Sequence, residues 1–396
     1  MARIEQHDVP AGFLMGGFEC TTHQLRHGRR IDIALETRHD VFAASDYRLA
    51  IDHGLRSLRD GIGWYRIEPT PRCYDWTSAQ RLLDAARATG AHMVWDLLHF
   101  GWPDWTDPFD PAFCDRFAEF AWRFARLAGP GGWYVPVNEI SFLSWIGGEL
   151  GHFAPHLTGS GDALKHALCR AAIAAIRAIR DADPAAVIML SEPLIHVHPG
   201  SGDDGRAARH NAAQFHSTEI ILGLTKPELG GDRLLVDIVG CNYYAHNQWL
   251  SDAPDTPLPR ALHRPLASLL ADAAARLNKP LLLSETGTEG DGRAEWFAHV
   301  CEEVRGARHA GVDVRGVCLY PLLNHLSWDN QRYCAHGLFC GLDPAGRRVH
   351  RPLAREIERQ AAGFADDDAT TSSRCHAVPV RHAPADPLRT AVSSAL

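Results

Sequence analysis

Eight short apolar runs alternate with eight longer segments of helical character through most of the sequence. Parallel strands need a crossover between them, and an α-helix is the usual one, so this order predicts a parallel sheet covered by helices. Eight units are the number that closes such a sheet into a barrel. A doubly wound sheet would place a glycine-rich phosphate turn after the first strand, whereas Gly16 and Gly17 lie inside that strand and no Gly-x-Gly-x-x-Gly follows. The sequence therefore predicts a single (β/α)8 barrel, the TIM-barrel fold.

The apolar pattern and its glycine and proline boundaries place the individual elements. The predicted strands cover residues 13–19, 55–59, 92–98, 133–139, 187–190, 236–244, 281–284 and 316–320. The predicted helices cover residues 40–53, 78–89, 111–128, 162–181, 206–223, 266–277, 293–310 and 352–364. Pro136 gives a strand ladder no N–H, but the run around it is apolar and stops at polar Asn138 and Glu139. Residues 140–160 are predicted to form a long loop.

The chain is predicted to hold one folded domain and a tail. Residues 1–364 carry the alternating pattern and form the catalytic barrel, while residues 365–396 are polar and without periodicity. Such a composition cannot bury enough apolar surface to fold, so we predict that residues 365–396 form a disordered C-terminal tail. No internal repeat is present.

Composition excludes several classes of protein. A net charge of -8 argues against a nucleic-acid partner, which usually selects a basic face. Residues 1–10 lack the apolar core of a signal peptide, and no apolar run is long enough for a membrane span, so no membrane partner is expected. The ten cysteines form no Cys-x-x-Cys pair, and the 23 histidines show no metal-ligand spacing. We therefore predict a cytoplasmic protein without a metal or cofactor, and leave its oligomeric state open.

Two predicted strands end on a glutamate. Glu139 ends the fourth strand, and Glu285 ends the seventh with Gly287 just after it. In a parallel barrel the C-terminal strand ends all point into one mouth, where active sites lie. Glycoside hydrolysis uses two carboxyl groups placed in this way, and in retaining enzymes they lie about 5–5.5 Å apart. Glutamates at strand ends also make structural ion pairs, so position alone leaves that alternative open.

The residues around these glutamates resemble glycoside hydrolase family 1 and its wider clan of eight-stranded barrel enzymes. Asn138-Glu139 is similar to the family's Asn-Glu-Pro acid/base motif, with Ile140 in place of proline, and Ser284-Glu285-Thr286-Gly287 is similar to its Thr-Glu-Asn-Gly nucleophile motif. Further matches in strand order are Arg59 with Trp64-Tyr65-Arg66, His99-Phe-Gly-Trp-Pro103, and Asp237-Ile-Val-Gly-Cys-Asn242-Tyr243-Tyr244. The resemblance spans about residues 13–328 and suggests a divergent member, or a neighbouring family, of the β-glucosidase and β-galactosidase type.

The resemblance implies a role for each matched residue. Glu139 would be the acid/base and Glu285 the nucleophile of a retaining β-glycosidase. Arg59 and Tyr244 would hold the Glu285 carboxylate, although a salt bridge inside the barrel or a core aromatic residue would look the same in sequence. The residues expected to contact the carbohydrate are Arg59, His99, Asn138, Asn242, Tyr244, Tyr320, Trp328 and Glu19.

The sequence departs from the family at two places. In the run Tyr320-Pro-Leu-Leu-Asn-His-Leu-Ser327-Trp328, Ser327 stands where the family has a sugar-binding glutamate. Near the N-terminus, Glu19, His23 and Gln24 all compete for the position of the family's sugar-binding glutamine. A preference for glucose therefore does not carry over from the resemblance.

Three alternatives to a hydrolase remain at the level of sequence. A transglycosidase would use the same residues, with a sugar hydroxyl replacing water. A non-catalytic carbohydrate-binding barrel would have no reason to keep both glutamates. An aldolase or amidohydrolase would need a Schiff-base lysine, phosphate-binding glycines or His-x-His, and the only lysines, Lys165, Lys226 and Lys279, lie away from the strand ends.

Overall fold

Eight parallel strands close into a barrel in which each strand pairs with its neighbours along the chain. The structure is a computed structural model that describes residues 10–376. The barrel strands are β1 Leu14–Gly17, β2 Ser57–Gly61, β3 His92–Asp96, β4 Trp133–Val135, β5 Val187–Pro193, β6 Ile238–Asn242, β7 Leu281–Thr286 and β8 Val314–Leu319. Strand β1 completes the ring because Met15 lies opposite both Ser57 in β2 and Cys318 in β8. The predicted TIM barrel is confirmed.

A helix follows each barrel strand and covers the outside of the sheet. The main helices are α1 His39–Asp52, α2 Thr77–Thr89, α3 Phe113–Ala128, α4 Gly161–Ala182, α5 His216–Ile221, α6 Leu266–Leu277, α7 Arg293–His309 and α8 Arg351–His376. Shorter helices are Ile33–Glu36, Trp64–Ile67, Ile140–Leu143 and Arg206–Ala213, with a π-helical turn at Ser144–Glu149 and 3-10 turns at Pro227–Leu229, Arg233–Leu235, Arg260–Leu262, Gly290–Gly292 and Pro344–Gly346. Small two-stranded sheets pair His196–His198 with Gln248–Leu250, His325–Leu326 with Tyr333–Cys334, and Phe339–Cys340 with Arg348–Val349.

Two apolar layers hold the barrel together. The inner layer fills the barrel and consists of Met15, Val94, Trp133, Val135, Val187, Met189, Ile238, Leu282, Cys318 and Tyr320. The outer layer lies between the strands and the helices. Helix α4 shows how it forms, since its buried residues recur at three- and four-residue steps, at Leu164, Leu168, Ala172, Ala175 and Ile179. Among residues 10–376, no helix has the length and apolar composition needed to cross a bilayer.

The structure corrects three predicted elements. Strand β4 ends at Val135, directly before Pro136, which has no N–H to extend the ladder. The predicted loop 140–160 begins with the helix Ile140–Leu143 and its π-helical turn. The single helix predicted for residues 206–223 is two helices, Arg206–Ala213 and α5, with a break between them.

The last helix extends past its predicted end at residue 364. Residues 365–376, which the sequence places in the tail, continue α8 to His376. Phe364 is buried against Phe13, with 4.1 Å between ring centroids, and Asp367 pairs with Arg305 at 3.2 Å. The rest of the predicted tail lies outside the described residues, so its disorder stays a prediction.

Candidate active site

Glu139 and Glu285 lie at the C-terminal end of the barrel strands, in the mouth. Glu139 follows β4 and is 9% exposed, while Glu285 lies within β7 and is 5% exposed. The backbone N–H of Glu139 donates to the carbonyl of Ser191 in β5 at 2.8 Å. Glu139 also has a left-handed backbone, with φ 46°, and stands just before the helix Ile140–Leu143. Both glutamates therefore lie where sequence predicts them, on different walls of one mouth.

Arg59 connects Glu285 to the neighbouring strands. Its Nη1 donates to Glu285 Oε1 at 2.8 Å and to the Ser284 carbonyl at 3.1 Å. Its Nε and Nη2 donate to the two carboxylate oxygens of Asp96 at 2.9 and 2.8 Å, and Nη2 also donates to Asn138 Oδ1 at 2.7 Å. All five N–H groups of the guanidinium are thus engaged, and its side chain is 1% exposed. Arg59 therefore fixes Glu285 and Asn138 together, the position that the resemblance implies for it.

The two glutamates have different electrostatic surroundings. Tyr244 donates to Glu285 Oε2 at 2.8 Å, so both oxygens of Glu285 accept from fixed donors. Burial raises the pKa of Glu285, and the Arg59 and His99 charges act against that rise. Burial and the Glu285 charge raise the pKa of Glu139 well above its usual range. Of the two groups, Glu139 is therefore the one whose surroundings favour the protonated form more strongly.

Asn242 holds the Glu139 carboxyl group. Its Nδ2 donates to Glu139 Oε1 at 2.8 Å. Its Oδ1 accepts from the hydroxyl groups of Ser191 at 2.9 Å and Ser284 at 2.6 Å, which fixes the orientation of the amide. The amide nitrogen of Asn242 thus holds Glu139, and a contact of Asn242 with the carbohydrate stays a prediction.

His99 lies on the floor of the mouth, beside three other residues that are predicted to contact the carbohydrate: Asn138, Glu19 and Tyr320. Its Nδ1 lies 3.0 Å from Asp96 Oδ2, and its Nε2 lies 3.1 Å from Asn138 Nδ2 and 3.7 Å from Glu19 Oε1. Burial lowers the pKa of His99, but Asp96 and Glu19 outweigh it and the net shift is upward. The Tyr320 ring stacks on His99, with 6.4 Å between centroids, and lies 5.5 Å from the Arg59 guanidinium.

The structure separates the three N-terminal candidates. The Glu19 carboxylate accepts from the Thr21 N–H at 2.9 Å and faces His99. His23 instead lies 3.0 Å from the Trp328 carbonyl and stacks on Phe153 at 3.8 Å, and burial lowers its pKa to about 3. Gln24 pairs through its backbone with Arg30. Of the Glu19 and His23 side chains, Glu19 is thus the one that faces His99, and His23 supports the half-buried Trp328.

Ser327 does not face the glutamates. Its hydroxyl donates to Asp329 at 3.1 Å and to Asn330, so its hydrogen bonds stabilise the loop to which it belongs. The indole Nε1 of Trp328 is buried without a hydrogen-bond partner among residues 10–376. Trp328 packs in an aromatic group with Phe100, Phe142 and Phe153.

Sequence reasoning missed four residues of this network. Asp96 ends β3, Ser191 and Glu192 lie near the end of β5, and Ser284 precedes Glu285. Glu192 is 8% exposed and accepts from the Ser141 N–H and the Ser217 hydroxyl. A signal was available for Asp96, Ser191 and Ser284, because polar residues at the C-terminal ends of barrel strands can point into the mouth, whereas Glu192 bonds to Ser217 of helix α5.

One cluster in the mouth has donors close enough for a metal ion. Single ligand atoms of Cys20, Asp96 and His99 lie within 4.8 Å of one another. Arg59 already donates to both oxygens of Asp96, and Asp96 and Cys20 both lie within hydrogen-bond distance of His99 Nδ1. The three residues therefore form a hydrogen-bond network that holds His99.

No protein-family model and no curated protein matches this sequence. Among solved structures, a β-glucosidase from Thermotoga maritima in complex with azafagomine aligns with a TM-score of 0.71 at 17% identity, over 89% of this chain and 99% of that one. The complex of that enzyme with castanospermine gives 0.71 at 18% identity, over 88% and 97%. The complex with isofagomine lactam, described as a family 1 enzyme, gives 0.71 at 17% identity, over 89% and 98%. The barrel of this chain is thus similar in fold to family 1 β-glucosidases, as the motifs predict.

Proposed function

We propose that the protein is a retaining β-glycosidase that cleaves a β-linked glycoside by double displacement. The observation that carries the proposal is the unequal pair of buried carboxyl groups. Glu285 accepts from charged Arg59 and from Tyr244, while Glu139 accepts from the neutral amide of Asn242. One group is thereby held ionised and the other protonated, which is the division of labour that this reaction needs.

In the first step Glu139 donates its proton to the glycosidic oxygen while a Glu285 oxygen attacks the anomeric carbon. The bond to the leaving group breaks, and a glycosyl ester of Glu285 forms. In the second step Glu139, now ionised, takes a proton from water, which attacks the same carbon and releases Glu285. The two inversions retain the configuration, and we expect the carboxyl groups about 5–5.5 Å apart.

The carbohydrate would lie over His99, Asn138 and Glu19, with the aromatic rings of Tyr320 and Trp328 beside it. Support comes from the fold neighbours, which are named as β-glucosidases. Because Ser327 bonds within its own loop, the proposal names a β-glycoside and does not extend to glucose.

The test replaces each glutamate separately. In Glu285→Ala the nucleophile is lost, so every substrate should react at least a hundredfold more slowly, and azide should restore turnover with an inverted product. In Glu139→Ala the proton donor is lost, so dinitrophenyl glycosides should still form the glycosyl-enzyme, and azide should give a retained product. NMR of the glycosyl azides gives their anomeric configuration and so measures both outcomes. Glu358→Ala, an exposed position on α8, is the matched control and should match wild type.

The same anomer from both variants would contradict the assigned roles. A loss below about tenfold in either variant, which corresponds to about 1.4 kcal/mol, would also contradict them. Products formed with and without an acceptor sugar then separate hydrolysis from glycosyl transfer by the same residues.

A further inference from the structure

The end of β5 holds Glu139 through two neighbouring residues. The Ser191 carbonyl accepts from the Glu139 N–H at 2.8 Å, and the Ser191 hydroxyl orients Asn242, which binds the Glu139 carboxyl group. Glu192 comes next in the strand, and its carboxylate is buried on the same side as the turn that follows Glu139. Strand β5 therefore bonds to the backbone of Glu139, orients the amide that binds its side chain, and bonds to the turn that follows it.

The Glu192 carboxylate closes a ring of hydrogen bonds. Its Oε2 accepts from the Ser141 N–H at 3.1 Å, two residues after Glu139, and its Oε1 accepts from the Ser217 hydroxyl at 2.8 Å. The hydroxyl groups of Ser141 and Ser217 lie 2.9 Å apart. The ring connects the turn after Glu139 to helix α5. The backbone of Glu139 is left-handed, a conformation that residues other than glycine rarely adopt unless their surroundings fix it.

Nothing in the packing requires a charge at this position. Within the described part of the chain Glu192 forms no salt bridge, and burial raises its pKa while the hydrogen bonds from Ser217 and Ser141 and the charge of Lys165 oppose that rise. A neutral glutamine could accept one of the two hydrogen bonds without a buried charge. The fixed contacts of Glu192 are therefore the two donors that tie the turn after Glu139 to helix α5.

We propose that Glu192 is a positioning residue that holds the turn carrying Glu139 in the orientation needed for proton transfer to the leaving group. The inference rests on the proposed glycosidase reaction. The Glu192 charge also contributes to the high pKa of Glu139, after burial and Glu285, with Asn242 and Arg59 opposing them. Lys165 and Cys169 of α4 face Glu192 from its other side.

Glu192→Gln tests the role, because it keeps the shape and removes the charge. Substrates with poor leaving groups depend on the proton, so kcat/KM for alkyl glycosides should fall at least tenfold, while that for dinitrophenyl glycosides stays within about twofold. The reaction needs Glu139 protonated, and removal of a neighbouring negative charge lowers its pKa. The alkaline limb of the pH profile should therefore move to lower pH.

Asp183→Asn is the matched control. Asp183 is also buried, and its Oδ2 accepts from the N–H groups of Gly131 and Gly132, at the other end of β4. This variant should lower the melting temperature while it affects both substrate types equally and leaves the alkaline limb in place. The same behaviour in Glu192→Gln would make Glu192 a purely structural residue and overturn the inference.

A readout without turnover separates this inference from the proposed function. If wild type cleaves no glycoside, the proposed function fails, but the Glu139 carboxyl group can still be titrated by 13C NMR of glutamate-labelled protein, with Glu139→Gln to assign its signal. A lower pKa of Glu139 in Glu192→Gln supports the coupling of the two residues. An unchanged titration overturns it.

Discussion

Arg59 is the residue on which most of the site depends. It lies inside the barrel, and its planar group spans three strands by contacting Asp96 at the end of β3, Asn138 after β4 and Glu285 in β7. The same contacts lower the pKa of Asp96, because Arg59 and His99 outweigh the effect of burial. A guanidinium can make these contacts because its five donors point outward in one plane, whereas an ammonium group is a single point.

We expect Arg59→Lys to damage activity strongly. One ammonium group cannot reach Asp96, Asn138 and Glu285 together, so kcat/KM should fall by about 10²–10³ for all substrates, the usual cost of one lost active-site donor. Loss of the guanidinium also raises the pKa of Glu285, and the reaction needs Glu285 ionised. The acidic limb of the pH profile should therefore move to higher pH, which initial rates from pH 4 to 9 would measure.

Arg293→Lys is the control for a buried arginine. Arg293 donates to the backbone carbonyls of Gly290 and Gly337 and contacts neither glutamate, so its replacement should leave the acidic limb where it is. An acidic limb that stays unchanged in Arg59→Lys as well would contradict the role of Arg59.

Strand β1 contains two glycines, Gly16 and Gly17, because neighbouring side chains leave no room for a Cβ there. A Cβ on Gly17 would lie 2.3 Å from Cδ2 of Tyr320, and a Cβ on Gly16 would lie 2.5 Å from Cδ1 of Leu322. Both neighbours belong to the segment after β8 that reaches over the barrel. The glycines therefore give that segment room to approach, and Tyr320 reaches His99 because of it.

Gly17→Ala should reduce activity more than stability. The new methyl group displaces the buried Tyr320 ring from His99 and Arg59, so kcat/KM should fall by about tenfold or more, with an overpacking cost of about 1–3 kcal/mol. Gly306→Ala in α7 is the control, because its Cβ would meet only Ala267 at 3.8 Å. That variant should gain about 1 kcal/mol from helix propensity and keep full activity. Urea unfolding and steady-state kinetics measure both, and an unchanged kcat/KM in Gly17→Ala would contradict this account.

The sequence predicts strands and helices well where one apolar pattern persists. The barrel and the positions of both glutamates follow from that pattern and from the motif resemblance. The helix at residues 140–143 was missed because Gly147 and Gly148 follow it closely, and glycine pairs indicate loops. The contacts of Asn242 and Glu192 could not be predicted, since they depend on the stagger of neighbouring strands. That stagger brings Ser191 level with Asn138, and sequence spacing does not contain it.

Helix α8 covers the barrel at the end opposite the mouth. Phe364 is 1% exposed, lies against Phe13 just before β1, and has the guanidinium of Arg305 4.2 Å from its ring. The chain that leaves β8 thus returns to the start of the barrel and packs across the place where β1 and β8 meet.

Phe364→Ala should destabilise the fold without changing the chemistry. Loss of a buried phenylalanine costs about 3–5 kcal/mol, so the urea midpoint should fall while kcat/KM below the transition stays at the wild-type value. Deletion of residues 377–396 is the comparison and should leave the midpoint unchanged, because that segment is polar and aperiodic. A midpoint that falls as far after the deletion as in Phe364→Ala would contradict the predicted tail.

The order of the strands around the barrel has a consequence for how the chain folds. Every barrel pairing but one joins strands that follow each other in sequence, so each of these closures spans one strand–helix unit, and within the barrel only the β1–β8 contact joins distant segments. Folding can therefore proceed from unit to unit, with ring closure as the step of highest entropic cost. Glu139 and Glu285 come from units separated by two other strands, so the ability to bind a ligand should be acquired late, after most of the helical signal has formed.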